Sequence, residues 1–195
     1  MLFEGVLFAL LVGLLAGGRL QRLDRLPLRW GGLLIAPFLL QIVIMLPPVR
    51  RIGWLEPFAP YLVILSYLLL LFALLSNWRL FDLRVVAFGV LLNFLVIAAN
   101  DGEMPAALSA LRRIDRGDLA AQLEQGRYGK HAVLRPDTRL AFLGDRIPLP
   151  WPYYPRPCVV SLGDFFITLG VVMLLWRGTG AFGWKPSWLA DPSSS

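Results

Sequence analysis

The chain has 195 residues, 57% of them apolar and only 16% charged, with a mean hydropathy of +0.63. Soluble domains carry roughly 25% charged residues, so this composition excludes an ordinary soluble globule. The net charge of +6 does not indicate a nucleic-acid partner, because the basic residues crowd the short connections between apolar runs; one cysteine, Cys158, excludes an internal disulfide or a cysteine metal cluster.

Taken in chain order, five apolar runs predict transmembrane helices at about 2–17, 31–47, 59–76, 85–99 and 160–176. Each is near the length that crosses ~30 Å of hydrocarbon, where only a helix satisfies its own backbone. The first run has no basic residue before it, carries Glu4, and ends in Gly17-Gly18-Arg19 without a small-x-small site, so it is expected to be a permanent helix rather than a cleaved signal. Residues 19–30 alternate Arg with Leu, which suits a short interfacial helix whose Arg19, Arg22, Arg25 and Arg29 meet anionic headgroups. Pro37 is expected to bend the second span.

Arg79 and Arg84 flank the third connection, and Arg177 and Lys185 follow the last run. The positive-inside rule then places connections one and three and the tail (177–195) in the cytoplasm, with the N-terminus outside. Trp30, Trp54, Trp78, Trp151 and Trp176 fall at run ends, where aromatic belts sit. Among the few polar residues inside runs are Gln41, Ser66 and Asn93. Asn93 is expected to bond a neighbouring helix and shares a face with Asn100, two turns on.

The insertion at 100–158 is too long for a linker and is expected to form a small extracytoplasmic subdomain. Pro105 suits a first helical position. Leu108, Leu111 and Ile114 then predict an amphipathic helix on the membrane surface. Asp118 is a candidate N-cap for a second helix that Gly126 ends. Two β-compatible runs around Pro136-Asp137 predict a hairpin, and the proline-rich stretch 147–157 an extended return. The fold class expected is therefore an all-α, polytopic membrane protein: five transmembrane helices and a helix-plus-hairpin subdomain between helices 4 and 5.

The tripeptide Leu-Gly-Asp occurs twice, ending at Asp145 and Asp164. Ionisable residues near a span start point to function, yet Ser161-x-x-Asp164 also fits a capping box, and Asp145 could close a turn beside Arg146. Brought together at the outer face, the two carboxylates could share a proton and act as one acid and one base. Asp145 and Asp164 are the candidate catalytic pair.

This arrangement resembles the C-terminal half of lipoprotein signal peptidases (signal peptidase II), membrane aspartyl proteases. Asp145 and Asp164 stand where that family has its aspartates, with Ile167-x-x-Gly170 following and Asn100-x-Gly102 similar to its N-x-G motif. The chain departs from that family in having five runs rather than four, with none between Asn100 and Asp145. Over most of its length it is identified as a member of an uncharacterised family of five-helix bacterial membrane proteins. The shared motifs are G-G-R-L (17–20), N-x-G-x-M-P (100–105), K-H (130–131), T-x-L-x-x-L-G-D (138–145) and S-x-G-D (161–164).

The binding or polar site expected from the residues and these motifs comprises Asn100, Gly102, Lys130, His131, Thr138, Arg146 and Ser161. His131, the one histidine, has no metal-pattern partners, and no metal or cofactor is expected. The first functional expectation is a non-enzymatic ligand-binding or accessory protein of the bacterial inner membrane, its partners the bilayer and a membrane-protein or lipid-like ligand. The alternative is an intramembrane aspartyl protease or hydrolase using Asp145 and Asp164.

Overall fold

The computed structural model describes residues 2–45, 56–126, 131–152, 154 and 157–184. The chain is mostly helical. The apolar runs form α1 (Leu2–Leu15), α2 (Gly31–Met45), α3 (Ala59–Leu75), α4 (Phe81–Ala99) and α7 (Leu162–Thr179). Among the described residues, α4 and α7 are long and apolar enough to cross a membrane, and the other apolar helices are shorter. α4 begins four residues earlier than its apolar run suggests, taking in Asp82 and Arg84. The Asp82 carboxylate is fully buried and accepts two hydrogen bonds from Arg177 Nη1, each 3.1 Å, in the last turn of α7. Pro37 lies inside α2 and is buried.

The helices pack in the order α2, α3, α4, α7, α1. Their shared core includes Tyr67, Leu70 and Leu74 of α3 and Val86, Val90 and Val96 of α4, with Ile167 and Val171 of α7 against them. Small residues set the close crossings. Gly5, Ala9 and Gly13 of α1 lie at spacing four, the pattern that lets helices approach in lipid; Trp176 Nε1 donates to Ala9 O at 2.9 Å. The outward faces stay apolar, with Leu7, Phe8, Ile35, Leu68, Phe88 and Leu95 exposed.

The segment at 19–30 forms a 3-10 helix (Leu20–Arg25) with none of its residues buried. Asn77 ties its end to α3. Asn77 Oδ1 accepts from Arg29 N (2.7 Å) while Nδ2 donates to Arg29 O and Ala73 O, both 2.8 Å.

Between α4 and α7 the chain builds a cap from α5 (Leu108–Arg113), α6 (Gly117–Glu124) and four short strands: β1 (Met104–Ala106), β2 (His131–Val133), β3 (Ile147–Leu149) and β4 (Cys158–Val160). Pro105 lies in β1, not at a helix start, because residues 104–106 pair in parallel with 131–133. That pairing also replaces the expected hairpin: the run after Pro136-Asp137 ends in a 3-10 turn (Ala141–Leu143), and β3 pairs antiparallel with β4 instead. The helix at 108–113 does not present an apolar face outward. Leu111 and Ile114 bury against Ala106, Ala120 and Leu123 in a small core of the cap's own. Arg116, not Asp118, holds the N-cap position of α6. Asp118 sits two residues later in the first turn, and the Arg116 guanidinium beside it holds its carboxyl below the usual carboxylate range. Gly126 follows the end of α6 with φ +66°, a left-handed exit that glycine takes at no steric cost.

Candidate functional site

β1 follows α4 within five residues, and β4 runs straight into α7. The most closely packed helix pair therefore delivers the C-terminal end of α4 and the N-terminal end of α7 to the cap. The backbone ladder continues across it. Asp145 N donates to Pro105 O (2.8 Å) and Asp145 O accepts from Ala107 N (2.9 Å), on the side of β1 away from β2, and Arg146 N reaches Val160 O at 3.3 Å. Gly144 permits this approach, since a Cβ there would stand 2.6 Å from Pro105 O.

His131, Asp145 and β4 are thereby held over the α3–α4–α7 crossing. They roof a cavity of about 330 Å³ whose polar lining includes Asp145, Asp164, His131, Asn93, Gln41 and Thr168. Tyr67, Leu70, Val90 and Ile167 form its less polar wall, and Cys158 also lines it. A smaller cavity of about 140 Å³ adjoins on the cap side and shares His131, Asp145 and Cys158 with the first.

Asp164 is held from two directions. Ser161 Oγ accepts from Asp164 N (3.0 Å) while Asp164 Oδ2 accepts from Ser161 N (3.1 Å), the reciprocal capping box that the Ser161-x-x-Asp164 spacing implies. Asp164 Oδ1 accepts from Asn93 Nδ2 at 3.0 Å, and Ser161 Oγ donates to Asn93 Oδ1 at 2.9 Å. Asn93 thus bonds across the helix interface, as polar groups in apolar runs tend to. Asp145 is 7% exposed, and its Oδ2 lies 3.3 Å from His131 Nε2. Its partner is the imidazole, not the neighbouring Arg146, whose side chain is exposed. Burial pushes the Cys158 thiol above its ordinary pKa, so it is protonated and weakly nucleophilic at neutral pH. Tyr154 OH donates to Glu4 Oε2 at 3.1 Å, tying the proline-rich return to α1; burial, then that carboxylate, raises its phenol pKa.

The remaining sequence-predicted residues serve elsewhere. Asn100 clamps the loop over α4: its Nδ2 donates to Val96 O (2.7 Å) and Arg139 O (2.9 Å), and its Oδ1 accepts from Arg139 N (3.1 Å). Gly102 turns the chain at φ +82° against Pro60, whose Cα would stand 2.8 Å from a Cβ there. Thr138 Oγ1 accepts from Arg135 N at 2.8 Å and closes the turn before the 3-10 segment. Lys130 lies outside the described residues. Of the predicted polar set, then, His131 lines the cavity and Ser161 acts behind it through Asp164 and Asn93.

Asn93, Gln41, Tyr67, Thr168 and Cys158 were not among the predicted site residues. Gln41 and Asn93 carried a signal, being polar inside apolar runs; Gln41 Nε2 donates to Ser66 Oγ at 2.8 Å. Tyr67 carried none. Among the described residues no three His, Cys, Asp or Glu side chains converge as a metal site.

These features define a mostly helical protein with two helices long and apolar enough to span a membrane, and a polar cavity under a small cap. The chain belongs to the family of unknown function DUF5317, which matches residues 25–176. An uncharacterized protein of Thermotoga maritima is 26% identical over 195 residues, covering 99% of this chain and 96% of that relative. No solved structure matches the chain.

Proposed function

We propose that this is a five-span protein of the bacterial inner membrane, N-terminus outside and C-terminus cytoplasmic, with a non-catalytic ligand-binding site under its extracytoplasmic cap. The apolar outward faces of all five long helices support the membrane reading, since a soluble monomer rarely exposes patches of this extent. At ~1.5 Å per residue the 14-residue α1 is shorter than the hydrocarbon core; tilting cannot lengthen it, so local thinning of the bilayer or flanking residues must make up the difference. The cluster Arg19, Arg22, Arg25 and Arg29 would then face anionic cytoplasmic headgroups.

The observation that carries the ligand-binding reading is the cavity itself. Its volume suits a small ligand or a lipid headgroup, and an apolar wall with a few convergent polar groups is the usual make-up of a binding site. A membrane-protein partner docking its own side chain there is the accessory form of the same reading. Aspartyl hydrolysis is the second reading, favoured by one fact: Asp145 and Asp164 line one cavity. Against it, both Asp164 oxygens are already bonded, to Ser161 and Asn93, and Asp145 is paired with His131. A working dyad needs its carboxylates to share a proton with each other.

Extraction from native membranes in mild detergent, followed by mass spectrometry, separates the two. Wild-type protein is expected to retain a small molecule that Asp145→Asn retains about tenfold less, a loss of one charge-assisted hydrogen bond. An empty wild-type cavity, with cleavage of a membrane-embedded peptide abolished by both Asp145→Asn and Asp164→Asn, would instead establish the hydrolase.

A further inference from the structure

Resting on the ligand-site reading above, we propose that the cavity takes an organic cation, a primary ammonium group on a short apolar stem. Its charge balance is the first ground. Among the described residues two carboxylates line it and no lysine or arginine does, Arg116 standing in the smaller cavity beside it. His131, the remaining titratable nitrogen there, is already directed at Asp145. An anionic ligand would meet Asp145 and Asp164 with like charge and be repelled, whereas an ammonium is attracted and supplies the donors that carboxylates accept.

The second ground is independent of the acids. Thr168 lines the same cavity, and its Oγ1 is buried with no hydrogen-bond partner. Buried polar groups are rarely left so in the occupied state of a site, and a hydroxyl can accept one N–H of an ammonium whose others go to carboxylates. The third ground selects the stem. Leu70 and Ile167, with Tyr67 beside them, form a wall that hydrocarbon fills. A bare divalent ion fits poorly, because it needs several convergent oxygen or nitrogen ligands and no three acidic, His or Cys side chains converge among the described residues. The ammonium can belong to a lipid headgroup or to a free amine.

Cys158 provides the readout: it lines the cavity and is the one cysteine of the chain. In purified full-length protein near neutral pH, its alkylation by N-ethylmaleimide is measured with n-hexylamine, hexanoate or 1-hexanol, three probes of one length and different charge. Hexylamine is expected to slow the reaction about tenfold, with hexanoate and hexanol near the unprotected rate, a discrimination the size of one charged hydrogen bond. Asp145→Asn is expected to abolish the protection, measured against the variant's own ligand-free rate, with an elution volume that shows it folded. The wild-type comparison stands alone if that variant does not fold. Equal protection by hexanol or hexanoate would keep the ligand site and overturn the cation. No protection by any probe would overturn both. The source is read in nanodiscs without added amine: slow alkylation in phosphatidylethanolamine but not phosphatidylcholine identifies a headgroup, and equal rates in both, with hexylamine still protecting, identify a free amine.

Discussion

Arg177→Ala is expected to cost about 3–5 kcal/mol of stability, the largest effect of any single substitution considered, because it strands a buried charge. Asp82 has no exposed surface, and Arg177 Nη1 donates to both its oxygens at 3.1 Å. The pair sits where the helix dipoles favour it, the acid in the first turn of α4 and the base in the last turn of α7. Arg177→Lys should recover only part of the loss, since an ammonium replaces the planar guanidinium fork as a single point charge. The double variant Asp82→Asn/Arg177→Met should lose less than Arg177→Ala alone, because neither charge is then buried. Unfolding in detergent, followed by denaturant titration, checks the order. A cost for Arg177→Ala below about 1 kcal/mol would mean the pair behaves as an exposed one.

Gly163→Ala is expected to cost about 2–3 kcal/mol, at the upper end of ordinary overpacking, and to loosen the cavity floor as well. A Cβ at Gly163 would overlap Asn93 Oδ1 and stand 2.6 Å from Gly89 O. Asn93 cannot step aside without giving up its bonds to Asp164 and Ser161, and Gly89 meets it with backbone. Strain and lost hydrogen bonds therefore add. Gly117→Ala is the control: a Cβ there meets nothing within 4 Å, so that substitution should be neutral or slightly stabilising. The two variants are compared by thermal unfolding and by ligand retention. Equal stability for both would show that α4 and α7 can separate at no cost, contrary to the packing described.

What the sequence disclosed follows the reach of each signal. Apolar runs announce helices because length and hydropathy are local, so all five long helices were legible, but the earlier start of α4 was not, since the partner of its Asp82 is Arg177, 95 residues on. The cap of α7 was legible for the same reason: Ser161 and Asp164 lie three residues apart and bond each other. The strand pairing was not. Residues around Pro136-Asp137 have the local look of a hairpin, yet β2 pairs with β1, some 27 residues earlier, through a partnership no local pattern encodes. Asp145 shows the limit at the site. Its sequence neighbour Arg146 offered a counter-ion, while the partner in space is His131, brought there by that same parallel pairing. Tyr67 and Thr168 look like ordinary residues of apolar helices, and only the crossing of three helices turns them toward one cavity.

A ligand taken from outside the cell requires that this cavity lie on the outer face. Cys158 tests it directly, since it lines the cavity and any thiol label on the chain must be there. The measurement is labelling by a membrane-impermeant maleimide in right-side-out and in inverted vesicles carrying the full-length protein. With its thiol protonated by burial, the reaction should be slow but complete over hours. Labelling of right-side-out vesicles, with inverted ones labelled only after detergent is added, is the result expected of an extracytoplasmic cap. Labelling confined to inverted vesicles would place the cap and its two aspartates in the cytoplasm and contradict the account.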